Sequence, residues 1–544
     1  LEAQVDRELI FSGDKSKATL KFLISEGPRF RLNKVIFRGN TVFSDETLAG
    51  RIRLKQGLFV KDLVLRRDIK RLGDTYGELG YIESHIEVRR QYLPLDQPLP
   101  QWAQNLKGPA PALLNLVFTV KESVKFTVGR VNIRGNNVTQ DRIIRRQVRL
   151  GPGKDFNELS MAETQSRLLE TRLFDDVAVK PMGTDENVRD VLVRIVEGRT
   201  ANFIIGIGAN TNTGVVGQFT FTQRNFDIAN TPKSAREFFT GQSFKGAGQK
   251  LTLSAEPGTE IFRFNVDWFE PMLFDQPYSL DINAYIFNQS YESYDLTRYG
   301  AVTSVGHRFL NRWYGELTAR IEGVEMGDLD VAAPPEVVSD AGTFLLTSLR
   351  GTLVRDRTDN RWMPSTGDRF SMSYEQMLAG DFTFGRGSAS YKIYRTLYVD
   401  ALDGKHILAG RVRADYIVGD APVFEKFYGG GIGSVRGFAF RGISPRSTLS
   451  TSDDPIGGDF RLLSGAEYSY PIIRDQLRGV VFLDAGTVSD EITGSMFRAS
   501  VGFGIRLTVP FFGPVPMSLD FGFPIMKQST DETQVFSFSL GWQF

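Results

Sequence analysis

The chain contains no cysteine, which excludes disulfides, thiolate metal sites and cysteine nucleophiles. Histidine is almost as scarce. His85, His307 and His406 are the three in 544 residues, too scattered to complete a Ser/His/Asp order or a metal-ligand spacing. No run of 18 or more apolar residues occurs, so no segment can cross a bilayer as a helix. Excess charge of one sign is missing too: 65 Lys and Arg balance 64 Asp and Glu, and bulk electrostatics offers nothing to a nucleic acid. The expectation is a protein without enzymatic activity, cofactor, metal or nucleic-acid partner.

What the chain does have is aromatic residues and glycine, with 42 Phe, 17 Tyr and 54 Gly. Many of the aromatics alternate strictly with small or polar residues. The last eleven residues, Gln534 to Phe544, read as one strand: Phe536, Phe538, Leu540, Trp542 and Phe544 share one parity, and Ser537, Ser539, Gly541 and Gln543 the other. The same holds for Phe497, Val501, Phe503, Ile505, Leu507 and Val509 against Arg498, Ser500, Gly502, Gly504, Arg506 and Thr508. Met517, Leu519, Phe521 and Phe523 alternate with Ser518, Asp520 and Gly522, and Phe262, Phe264, Val266 and Trp268 with Arg263, Asn265 and Asp267. A strand sends successive side chains to opposite faces, so each segment has one apolar and one polar face. One such strand suits any half-buried sheet. A long series, ending on an exposed aromatic strand, would aggregate in water unless the sheet closed on itself in lipid with its polar face toward a lumen.

From Arg199 onward the pattern predicts about sixteen strands, centred near Ile205, Phe219, Leu253, Phe264, Ala284, Ser304, Leu317, Ser348, Ser373, Ser390, Val412, Glu467, Phe482, Phe503, Phe521 and Phe538. An even number suits a single-chain outer-membrane barrel whose first strand (202–210) meets its last. The longest interruption, about Gly419 to Asp459, is expected to start at the extracellular end, where loops are long.

Residues 1–198 read differently. Phe30, Val35, Arg38, Gly39, Asn40, Leu54, Gly57, Arg71 and Leu72 recur 96 positions later as Phe126, Val131, Arg134, Gly135, Asn136, Leu150, Gly153, Arg167 and Leu168. Such a fixed register is an internal repeat. Each copy reads strand-helix-helix-strand-strand, a small α+β module, giving units at 29–124 and 125–198 ahead of the barrel at 199–544. The first has a Pro- and Gln-rich insertion at 94–111, expected to be a solvated loop carrying an exposed Trp102. Leu1 is not an initiator, and residues 1–28 read as the tail of a truncated module.

Inside the long interruption stands Gly429-Gly-Gly-Ile-Gly-Ser-Val-Arg-Gly-Phe438, which lacks the Lys-Ser/Thr ending of a nucleotide-binding loop. Its Val435-Arg436-Gly437-Phe438 is instead the loop tetrapeptide of the BamA family of outer-membrane assembly and translocation proteins. The chain resembles that family throughout: tandem polypeptide-transport-associated (POTRA) modules, a barrel, and an aromatic last strand. The resemblance implies a transmembrane antiparallel β-barrel preceded by POTRA domains that lie in the periplasm of a bacterial cell. It implies assembly of outer-membrane β-barrel proteins through a lateral seam between first and last strands. Implied partners are unfolded outer-membrane proteins, accessory lipoproteins of a BAM-type complex, periplasmic chaperones and membrane lipids. In family members the loop turns into the lumen and its Arg meets carboxylates, for which Glu467 and Asp484 have the inward parity here. The seam positions are Ile205, Gly206 and Gly208 on the first strand and Leu540, Gly541 and Phe544 on the last; Gly541 stands where the family's terminal strand kinks. The alternatives are a translocation relative, TamA-like or of the two-partner secretion type, and a passive porin.

Overall fold

The computed structural model describes residues 4–540 apart from 12–17, 26–28, 95–97, 105–111, 240, 242, 311, 362, 401–402, 450–451, 474–475, 493–496 and 509–516. The chain divides into two compact units, Leu1–Arg199 and Thr200–Phe544.

The first unit opens with the antiparallel pair Gln4–Phe11 and Ala18–Ser25, followed by two modules of one design. In the first, Ala112–Lys121 is the central strand, parallel to Phe30–Arg38 and antiparallel to His85–Tyr92. Helices Asp45–Arg51 and Asp62–Glu78 cover the sheet and close a core of Leu32, Leu48, Leu72, Tyr76, Leu116 and Phe118. Ser44 starts the first helix by accepting from the Thr47 amide at 3.3 Å, the N-cap bond that its position before Asp45-Glu46 predicts. In the second module the strands are Thr127–Arg134, Val188–Glu197 and Phe174–Met182 in that order, with helices Asp141–Arg145 and Glu158–Glu170. Its core includes Phe126, Ile144, Phe156 and Leu168.

The repeated Gly-Asn pair has a physical cause. Gly39 (φ +79°) and Gly135 (φ +98°) turn the chain out of the first strand so close to the central one that a Cβ would lie 2.4 Å from the Val120 oxygen and 2.1 Å from the Ile195 oxygen. The Asn40 and Asn136 amides then donate to the Phe43 and Thr139 carbonyls, at 3.0 and 3.3 Å. A carboxylate finishes each turn. Glu122 accepts from the amides of Thr41 and Val42 at 2.8 and 3.0 Å, and Glu197 from those of Asn137, Val138 and Thr139 at 3.1, 3.0 and 2.6 Å. Burial alone would raise the pKa of Glu197, but the Thr139 hydroxyl and the three amides outweigh it and hold the carboxyl below its ordinary range.

Within the insertion, Gln101–Gln104 forms a helical turn that folds back onto its module. Ala103 is buried, and the half-buried Trp102 donates its indole N–H to Asn33 at 3.2 Å, with its ring 3.5 Å from where a Cβ on Gly57 would stand. The expected solvated loop with an exposed Trp102 is therefore corrected. A single aromatic anchor has no periodicity to betray it, yet it brings more apolar area out of water than the flanking Pro and Gln can.

The second unit is a closed barrel of sixteen strands, every neighbour antiparallel, and each of the sixteen expected centres falls on one of them. Outward side chains such as Phe203, Ile205 and Ile207 are 72–74% exposed, while the inward Asp484, Ser500 and Asp520 are buried. One boundary is corrected. The last strand does not run unbroken from Gln534: Thr533–Gln534 pairs elsewhere, and the barrel strand is Phe536–Leu540.

Two outcomes are expected for the second module. Gly135→Ala should destabilise it by about 1–3 kcal/mol, because a Cβ meets both a forbidden φ and the Ile195 carbonyl; hydrogen exchange of residues 126–198 measures this. The Glu197 contribution is complete above the unfolded carboxyl pKa of about 4.3 and is lost as pH falls through the lower folded value. Glu197→Gln should therefore flatten the acid limb of that module's stability curve.

Candidate functional site: the lumenal loop and the barrel seam

The segment between strands Lys405–Gly419 and Phe460–Ile473 is held inside the barrel, and its sequence explains how. Gly430, Gly431, Gly433 and Gly437 all have positive φ, a tight path that side chains would forbid. Gly437 lies so near the barrel wall that a Cβ on the wall residue Gly522 would stand 2.6 Å from the Gly437 nitrogen. Val435 and Phe438 pack with Ile443, Leu463 and Val488, and Phe438 is 1% exposed. Two apolar side chains thus seat the loop and leave Arg436, between them, pointing at the wall.

There the Arg436 guanidinium meets both predicted carboxylates. Nε and Nη2 donate to the two Asp484 oxygens at 2.6 and 3.1 Å, and Nη1 donates to Glu467 at 2.8 Å. The guanidinium carbon stands 3.4 Å from the Phe482 ring centre, so the planar cation is stacked as well as bonded. Three residues that the motif does not reveal complete the cluster. Arg411 reaches Asp484 at 3.2 Å and the Gly433 and Ser434 carbonyls at 3.0 and 2.6 Å. Arg506 joins Asp520 at 2.6 Å to Glu467 at 3.3 Å. Three guanidiniums face three carboxylates, which is how a constricted lumen tolerates a buried charge. Arg506 and Asp520 already showed the inward parity; what parity cannot supply is which inward charges come together.

Two further anchors carry no motif. Glu425, 2% exposed, accepts from Arg298 at 2.8 Å and Arg386 at 2.9 Å and lies 3.4 Å from Arg320. Arg441 takes up a φ of +61°, donates to Glu292 at 2.9 Å, and sits 3.5 and 4.5 Å from the ring centres of Tyr428 and Tyr291. The loop thus spans the lumen from the strands around Arg298 to those around Asp484.

The loop also reaches both flanks of the seam. Gly437 and Phe438 pair as a short strand with Gln534 and Thr533, just ahead of the last barrel strand. On the other flank Asn212, in the turn after the first strand, donates to the Ile432 carbonyl at 3.3 Å. Between those points the first strand (Ala201–Asn210) and the last (Phe536–Leu540) meet at Ser539–Asn210 and Leu540–Ala209 among the described residues. Gly208 allows the approach, since a Cβ there would stand 3.0 Å from the Leu540 oxygen; Gly206 has no such neighbour, only the Gln218 side chain at 3.7 Å. Ile205 lies opposite Phe219 of the second barrel strand, and on the seam side it is Ala209 that faces Leu540. Gly541 and Phe544 lie outside the described residues.

The Omp85 superfamily domain model matches residues 243–544, more than half of the chain. The chain belongs to the Omp85 superfamily. Ahead of its Omp85 barrel, the surface antigen variable number repeat model (POTRA) matches 30–123 and 126–198. This Omp85 chain is 26% identical to the outer membrane protein assembly factor BamA of Nitratidesulfovibrio vulgaris, over 96% of its own length and 63% of that protein's. It is 24% identical to the same-named proteins of Neorickettsia risticii and Neisseria meningitidis, covering 65% and 70% of their lengths. It therefore spans about two thirds of the curated relatives it matches. Its fold is similar to that of BamA from Haemophilus ducreyi lacking POTRA domains 1–3, with a TM-score of 0.73 at 19% identity, over 94% of this chain and 99% of that one. CdiB from Acinetobacter baumannii shares the fold more distantly, with a TM-score of 0.51 at 15% identity, over 95% and 90%.

Arg436→Ala should cost the loop about 3–5 kcal/mol of local stability, because it leaves buried carboxylates without their chief partner. Protease sensitivity and hydrogen exchange of residues 430–443 would rise while the strands stay protected. Glu425→Gln should loosen residues 420–428 alone, leaving the exchange around Arg436 at its wild-type rate.

Proposed function

We propose that this protein inserts and folds β-barrel proteins in the bacterial outer membrane, with the seam between its first and last strands as the working part. The observation that carries the proposal is that the lumenal loop reaches both flanks of this seam, pairing with Gln534 and Thr533 ahead of the last strand and accepting from Asn212 after the first. An unfolded barrel strand cannot enter hydrocarbon with bare amides and carbonyls, each of which costs several kcal/mol. An edge that opens in the wall of an existing barrel offers partners to those groups while the new sheet grows.

In this reading Gly208 lets the seam close without a side chain in the way, and Arg436 with Asp484 and Glu467 holds the loop that touches both flanks. The POTRA domains lie in the periplasm and receive unfolded outer-membrane proteins, periplasmic chaperones and accessory lipoproteins of a BAM-type complex. Their outer strands offer edges for β-augmentation. Outer-membrane lipids surround the barrel's aromatic face. The function requires no covalent chemistry and assigns no catalytic residue or cofactor. The assembly-factor relatives support assembly over TamA-like or two-partner translocation. A lumen crossed by an anchored loop argues against a passive porin, and ion conductance of the purified protein tests that alternative.

The register gives the lock. Ala209→Cys with Leu540→Cys, in a chain that has no native cysteine, should cross-link the seam on oxidation. In cells that depend on this protein the lock should cut outer-membrane protein assembly tenfold or more, with recovery on reduction. Locked protein that still assembles its clients at the wild-type rate overturns the seam mechanism and leaves transport through the lumen.

A further inference from the structure

Away from the seam, the lumen wall holds a cavity of about 350 Å³ lined by Arg350, Arg386, Arg413 and Arg461, with serine hydroxyls between them and Phe427 of the loop above. The strand register brings these groups together. Arg350 lies opposite Glu375, Ser373 opposite Ser388, and Ser390 opposite Arg413.

The charges in this wall do not balance. Arg413 and Arg461 share one carboxylate, Asp415, at 2.9 and 2.8 Å, and the Asp415 side chain is fully buried. Glu375 is already engaged by Arg320 at 3.1 Å and Arg386 at 3.0 Å. Arg350, across from it, forms no ion pair or hydrogen bond with any described residue, and its Nε is shut away from solvent without an acceptor. Lys392 stands one row further along the same face, opposite Arg369 and Arg411. The Arg436 and Glu425 anchors beside this wall each pair cations with carboxylates, so the surplus is confined to the cavity. A guanidinium nitrogen buried without an acceptor is costly, and clustered like charges raise that cost.

We infer that this cavity is a binding site for a doubly charged tetrahedral oxyanion, of the phosphate, sulfate or phosphate-monoester class. A dianion offers acceptors to the Arg350 Nε and a second countercharge to Arg413 and Arg461, which share Asp415 (Arg461 also donates to the Tyr428 carbonyl at 2.9 Å), in the charge-assisted geometry that arginine favours. The serines supply further donors.

The test uses the full chain, purified in detergent with chloride as the sole anion and titrated calorimetrically with inorganic phosphate and, separately, glycerol phosphate. Saturable binding of one anion per chain is expected, weakened at least tenfold in Arg350→Gln and about threefold in Lys392→Gln. Heat-modifiable gel migration shows that each variant barrel is folded, and the exposed Lys392 change keeps the test decisive if Arg350→Gln is not. Crystals soaked in selenate should show a selenium anomalous peak within hydrogen-bonding distance of Arg350. Binding of either anion upholds the site, and their relative affinities tell whether it accepts an inorganic ion or a monoester. No saturable binding to the wild type, equal affinity in both variants, or a selenium peak elsewhere overturns it.

Discussion

A buried arginine with its carboxylates is the constraint on which the barrel's interior depends. Arg436 brings a positive charge into a lumen wall where Asp484 is fully buried, and neither could stay there alone. Bonded to Asp484 and Glu467, stacked on Phe482 and neutralised together with Arg411, Arg506 and Asp520, it joins a loop to strands that no short connection links. The surrounding sequence follows from that joint. Glycines at 430, 431, 433 and 437 bend the loop toward the wall, Gly522 leaves the wall space for it, and Val435 and Phe438 seat it in apolar surroundings.

The seam is where this loop meets the closing edge of the barrel. A closed barrel in lipid ordinarily satisfies its edge groups strand against strand. Here first and last strands pair at Ser539–Asn210 and Leu540–Ala209 among the described residues, and the loop adds contacts from the lumen side, at Gln534 and Thr533 on one flank and at Asn212 on the other. Loop and seam are thus one mechanical assembly, although more than 200 residues separate Asn212 from Ile432 in the chain.

The parity of alternating residues made the barrel legible because lipid outside and a polar lumen inside impose the same rule on every strand. The rule places Arg506, Asp484 and Asp520 on the inner face, but it cannot say that they converge on Arg436, since that depends on stagger and on a loop without periodicity. The same limit explains three departures. Gln534 breaks the alternation, polar where Phe536 and Phe538 are apolar, and is drawn off to Gly437 by a loop-to-strand pairing of distant origin. Trp102 looks like a residue in a featureless insertion and is tied to Asn33, 69 positions away. Ile205 and Leu540 both belong to the seam strands, yet strand order alone does not give their stagger, and the register sets Leu540 against Ala209. Glu425 and Arg441 had no signal at all, because a lone charge in an irregular segment is usually solvated.

Magnitudes decide the order in which the assembly comes apart. Each described seam bond, such as the Thr211 amide to the Phe538 carbonyl at 3.2 Å or the Asn212 bond to the loop, is worth about 1 kcal/mol net. Freeing the loop strands buried charges at Asp484 and Glu425, at about 3–5 kcal/mol for each broken pair. Bond for bond the loop's anchors are stronger than the described seam contacts, so in the proposed mechanism the loop stays in place as the seam opens. In that mechanism Arg436 is a fixed post rather than a latch: it would keep the barrel's cross-section while one edge opens, so that an open wall does not become a collapsed one.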